Sequence, residues 1–74
     1  MARTLHVLKG DHTAQALAVI TPQVAAGDRV TVALVGGVPA PELPDGVVVH
    51  RVPDELSWER LLELVFEADA VVTW

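Results

Sequence analysis

The chain contains no cysteine. That excludes disulfides, thiolate metal sites, persulfide carriage on a side chain and cysteine nucleophiles, and it fits a reducing compartment. Aromatic residues are scarce: Trp58, Phe66 and Trp74 are all there are. Basic residues are scarce too. Arg3, Lys9, Arg29, Arg51 and Arg60 stand against ten acids, for a net charge of −5. A phosphate-backbone binder needs a clustered basic face, which is missing, so nucleic acid and acidic membranes are excluded as partners. No apolar run approaches the roughly 18 residues of a transmembrane helix. The start, Met-Ala-Arg-Thr-Leu-His, lacks a secretory apolar core, and a cytoplasmic location is expected.

What is present is a single short domain, residues 1–74, half of it apolar. A domain of this size buries only about 60% of its unfolded surface. Its core is marginal, and oligomerisation is a natural remedy.

Thr4–Leu8 is β-prone and stops at Lys9-Gly10, a turn signal. Asp11 or Thr13 can cap the helix that follows, in which Ala14, Leu17, Ala18, Thr21 and Ala25 recur at helical spacing. Pro22 should kink or restart this helix, with Thr21 recapping it, and Gly27 sits where a C-terminal cap belongs. Arg29–Val35 is the strongest strand, apolar almost throughout, as suits a parallel sheet covered on both faces. Three prolines between Val38 and Gly46 leave room for at most one turn around Pro41–Leu43. Val47–Val52 is a third strand. Ser57 should cap a final helix over Trp58–Ala68, with Asp54 and Glu55 well placed for its dipole, and Ala70–Thr73 closes as a fourth strand.

Strands alternating with helices imply a three-layer α/β fold with an open four-stranded parallel sheet, helices on its faces and right-handed crossovers. The expected strand order is 2-1-3-4. Ligands of such sheets sit beyond the carboxyl ends of the strands where the order reverses. That crevice would gather Lys9 and His12 from the first strand with His50 and Arg51 from the third, two of the five Lys/Arg and two of the three histidines. A small anion- or nucleotide-binding module is one functional reading. His6, mid-strand, reads as a satisfied or edge histidine, because no second ligand stands at metal-binding spacing. Gly36-Gly37 lacks the G-x-G-x-x-G spacing of a dinucleotide site. There is no nucleophile elbow, and Asp54/Glu55 and Glu59/Glu63 are carboxylates on a wet surface where nothing would split their pKa values. No catalytic residue, cofactor or metal is implied.

The last helix is the most informative stretch. At 100° per residue, Trp58, Leu61, Leu62, Leu64, Val65, Phe66 and Ala68 sweep an apolar arc of roughly 200°, while lying on one sheet needs only about 100°. Glu59, Arg60, Glu63 and Glu67 take the rest. The surplus predicts a second surface, with Trp58, Leu61, Leu62, Val65, Phe66 and Trp74 as interface residues.

This closing segment resembles the C-terminal signature of the DsrE/DsrF/DsrH superfamily of sulfur-relay proteins, in its DsrH/TusB branch. There an aromatic residue, an apolar helix and a terminal Trp occur in the order seen here for Trp58, Leu61, Leu62, Leu64 and Trp74. Leu5-His6 with a basic residue at Lys9, Gly27-Asp28 before the second strand and Gly37-Val38 after it are similar as well. The resemblance spans about three-quarters of the chain and implies a DsrE/DsrH-like fold. It also implies a cytoplasmic subunit assembled, as homo- or hetero-oligomer, with DsrE-like and DsrF-like (TusD/TusC-like) partners. Such complexes relay persulfide sulfur toward tRNA wobble-uridine thiolation or within sulfur oxidation. Two departures stand out: some members carry a cysteine on the first helix, where Ala14–Ile20 has none, and a Pro-rich loop replaces the region after Gly37. The implied role is therefore non-catalytic, a scaffold or regulator.

Overall fold

The computed structural model describes residues 2–10, 12–37, 39, 41–52 and 54–74. Its elements are β1 (Arg3–Leu8), α1 (Thr13–Ala25), β2 (Arg29–Val35), β3 (Val48–Val52), α2 (Trp58–Glu67) and β4 (Ala70–Thr73). All three strand pairings are parallel. The α/β architecture and the elements follow the sequence within a residue or two.

The strand order does not. The sheet runs β3-β2-β1-β4, correcting the expected 2-1-3-4. The cause lies in the link from β2 to β3, residues 36–47, which has no helix. Residues 41–44 take no regular structure, so the turn around Pro41–Leu43 does not form. On this face α1 already packs over β1 and β2, through Ala16 and Ile20 against Leu8, Val30, Val32 and Leu34. A strap carrying only Leu43 and Val47 packs against the rim of that core. It finds its room beyond β2, and β3 pairs there. The two later crossovers then obey the right-handed rule only if the strap shares α1's face and α2 takes the other.

The core splits accordingly. Leu8, Ala16, Ile20, Val30, Val32 and Leu34 form the α1 side, while Leu5, Ala33, Val52, Leu56 and Leu61 form the α2 side. Strand alternation sorts them, since successive side chains of β1 and β2 point to opposite faces.

The helix ends are handled differently. α2 is capped by Ser57, whose Oγ accepts from the Arg60 N–H at 3.1 Å, with Glu59 in the first turn to suit the dipole. α1 begins at His12 with no side-chain cap. Thr13 lies inside the helix, and Asp11 falls outside the described residues. At its far end Gly27 (φ +86°) closes a Schellman motif, with its own N–H on the Val24 carbonyl and the Asp28 N–H on the Gln23 carbonyl.

Pro22 neither breaks nor restarts α1, which runs unbroken from Thr13 to Ala25. The proline is exposed and near the last turn, so solvent is available to the carbonyl it leaves unpaired. An interior proline costs a helix about 3 kcal/mol, and the freedom alanine returns to the unfolded chain offsets about 1 kcal/mol of that. Pro22→Ala should therefore stabilise the fold by about 1–2 kcal/mol, raising Tm by roughly 5–10 °C. A thermal melt showing no gain would mean that the Ala18 carbonyl is already satisfied.

Candidate functional site

Helix α2 presents two distinct apolar surfaces. Leu61 is 8% exposed and packs in the core with Leu5, Ala33, Val52 and Leu56, flanked by half-buried Leu64, Val65 and Ala68. Trp58, Leu62 and Phe66, spaced at i, i+4 and i+8, form a separate stripe that is 57%, 56% and 79% exposed. The acids follow at the same spacing on the far side of that stripe, as Glu59, Glu63 and Glu67. Arg60 bonds Glu63 and lies 4.0 Å from Glu67. The Glu63 hydrogen bond and then the two carboxylate charges push its pKa up, so the helix's one cation is held within the acidic row.

The handedness of the fold fixes where each surface points. α2 runs antiparallel to the strands between which it crosses, and by the rule for parallel sheets the β3-α2-β4 crossover is right-handed. Turning a right-handed helix with Leu61 toward the sheet aims Trp58, Leu62 and Phe66 over β4. The opposite flank, with Leu64 and Glu67, overhangs β2 and β3. Strand β4 is an edge strand, paired only with β1, and its Val71, on the α2 face, is also exposed. The stripe and the β4 edge thus make one continuous surface.

Of the interface residues read from sequence, Trp58, Leu62 and Phe66 are on this surface, with Val65 half-buried beside it. Leu61 is taken up by the chain's own core. Trp74 turns instead to the α1 face, where its ring lies edge to edge with that of His6, 6.1 Å between centroids and 15° between planes.

That contact is one half of a buried relay. His6 is 0% exposed on an interior strand. The Trp74 indole N–H donates to His6 Nδ1 at 3.0 Å, and His6 Nε2 lies 2.7 Å from Gln23 Oε1. An indole nitrogen can only donate. Nδ1 must therefore accept, which leaves the ring proton on Nε2 for Gln23. The network ties β1, α1 and β4 together across the middle of the sheet.

The four residues of the expected anion crevice are not brought together. β2 separates β1 from β3, placing them about 10 Å apart. His50 and Arg51 lie within β3 rather than beyond its carboxyl end. His50 is half-buried and Arg51 is exposed, with its backbone N–H on Glu55 Oε1 at 3.0 Å. Lys9 and His12 are exposed at the far side of β1. The correction follows from the strand order, which moves the reversal point to β1 and β4, where Trp74 sits.

Sequence reading missed the two arginines that do meet. Arg3 and Arg29 are register partners at the amino ends of β1 and β2. They line a groove of about 520 Å³ with Leu5, Thr31, Val48 and Leu64. Among the described residues neither guanidinium forms an ion pair. Of the nearby carboxylates, Asp69 accepts from the Arg3 N–H at 2.9 Å and Asp28 from the Ala2 N–H at 3.3 Å, while Glu67 lines the same groove. The only clue in the sequence is that both strands open on arginine.

Among the described residues, no helix is long and apolar enough to cross a membrane. No protein-family model, curated protein or solved structure matches this chain.

Proposed function

We propose that this chain is a non-catalytic interaction subunit that works by docking its last helix onto another protein surface. The observation that carries this reading is Phe66. A phenylalanine 79% exposed, in line with two more large apolar side chains, forms a patch of the kind that marks interaction sites on soluble domains. In the finer version, supported by the likeness of both chain ends to DsrH/TusB proteins, the subunit is a scaffold or regulator in a cytoplasmic sulfur-relay complex. Its partners are then DsrE-like and DsrF-like subunits, which supply the cysteines this chain lacks. Co-expression with such proteins from the same source, followed by mass determination of the purified species, tests it. Co-elution in one species is the expected result. Separate elution of the unmodified chain would remove the sulfur-relay version.

A second reading, binding of a small anion, is favoured by the Arg3/Arg29 pair. Like charges side by side on neighbouring strands are unfavourable, and a carboxylate or phosphate lying across both would relieve that. Added phosphate, sulfate or a small carboxylate should raise the melting temperature, and Arg3→Ser with Arg29→Ser should remove the rise. Equal shifts in both proteins would assign the effect to salt alone.

A further inference from the structure

We infer that the occupant of this surface is a second copy of the same chain, joined β4 to β4 in an antiparallel pair so that two sheets become one of eight strands. The inference rests on the docking reading above and names its partner.

Three observations converge on it. The first is the state of the edge. Trp74 donates its backbone N–H to the Val7 carbonyl at 2.9 Å. Peptide direction alternates along a strand, so the N–H and C=O groups of Val71 and Thr73 point away from β1. Exposed edges are usually blunted by charge, proline or a bulge. The opposite edge strand, β3, carries Arg51 and His50. β4 is Ala-Val-Val-Thr and carries no such guard.

The second is symmetry. An isologous contact needs a two-fold axis that suits every element at once. Antiparallel pairing centred on Val72 matches Val71 with Thr73 of the other copy, and these are the two residues whose peptides face outward. The stripe on α2 is centred on Leu62. From the turn at Ala68-Asp69, Leu62 stands about 9 Å up the helix and Val72 about 10 Å up the strand. One axis normal to the sheet therefore serves both. It brings the two α2 helices together antiparallel on the same face, Phe66 toward Trp58 of the other copy.

The third is charge. The same axis leaves the Glu59/Glu63/Glu67 rows on the outer flanks and tops of the helices, so two strongly acidic molecules meet without apposing their acids. A dimer in which the stripes stacked face to face would set the antiparallel rows side by side.

The area fits as well. With 150–250 Å² for a fully exposed aromatic ring, the exposed parts of Trp58, Leu62, Phe66 and Val71 come to roughly 450 Å² per copy. That is about half of the ~800 Å² per partner in a standard interface, and the β4 backbone and its flanks supply more.

Sedimentation equilibrium and native mass spectrometry on the full chain test the proposal, with two substitutions chosen to spare the monomer. Leu62→Glu changes an exposed side chain, and Thr73→Pro removes an outward-facing N–H at the end of an edge strand, where proline is tolerated. The wild-type chain should be a dimer at micromolar concentration. Each variant should shift the mass toward monomer, with at least a ten-fold rise in dissociation constant and an unchanged far-ultraviolet circular dichroism spectrum. A monomeric wild-type chain at high micromolar concentration overturns the proposal, as does a dimer indifferent to Thr73→Pro. A monomer that nonetheless forms a stripe-dependent complex with a different protein would overturn the second copy as occupant and leave the docking reading standing. A dimer that binds no DsrE-like or DsrF-like protein would do the reverse to the sulfur-relay version.

Discussion

Replacing His6 with alanine should cost this fold about 3–5 kcal/mol, the largest loss expected of any polar position. Two effects add. A fully buried ring leaves a void, for which large-to-small changes in cores cost about 2–5 kcal/mol. The Trp74 indole N–H and the Gln23 carbonyl oxygen also lose their common partner, at about 1–3 kcal/mol for each polar group left unsatisfied, partly recovered because both residues are only half-buried. A domain of 74 residues has about 4–11 kcal/mol in total, so the variant should be on the edge of unfolding at room temperature. Urea unfolding followed by circular dichroism measures this directly. Trp74→Phe keeps an aromatic ring on the α1 face but drops the donor, and should cost only about 1–2 kcal/mol. In a double-mutant cycle the two changes should couple by about 1 kcal/mol. Strictly additive losses would mean that indole and imidazole do not act as a pair.

This relay shows how far the sequence could be read. That His6 would be a satisfied histidine, one of the two readings its mid-strand place allowed, was legible in the sequence. That its partners would be Gln23 and Trp74 was not, since they come from a helix and from the far end of the chain and meet it only through strand order. The elements themselves were written locally: β-branched runs, the Gly27 cap and the Ser57 cap are decided by neighbours within a few residues. Strand order is decided by which space α1 leaves for a helix-free strap, and no local periodicity records that. Strand order sets Lys9 and His12 two strands away from His50 and Arg51, and the Arg3/Arg29 pair went unseen for the same reason. The stripe on α2 was legible because helical geometry needs no knowledge of topology.

The two faces of α2 make adjacent leucines give opposite results. Leu61→Asp would place a carboxylate where the side chain is 8% exposed, among Leu5, Ala33, Val52 and Leu56. The lost apolar burial alone is about 2–3 kcal/mol, and an unpaired buried charge adds several more or forces the group to stay protonated. Against a total of about 4–11 kcal/mol, the variant should be unfolded or molten at neutral pH. Leu62→Asp, one residue on and 100° around the helix, should leave the unfolding midpoint of the isolated chain within about 0.5 kcal/mol, as exposed substitutions generally do. Only association should suffer. Chemical denaturation of dilute protein separates the two, because dilution removes the stabilisation that association lends. Were Leu62→Asp to destabilise the dilute chain as much as Leu61→Asp, the stripe would have to be part of the monomer's own core, and the surplus apolar arc that motivates docking would vanish with it.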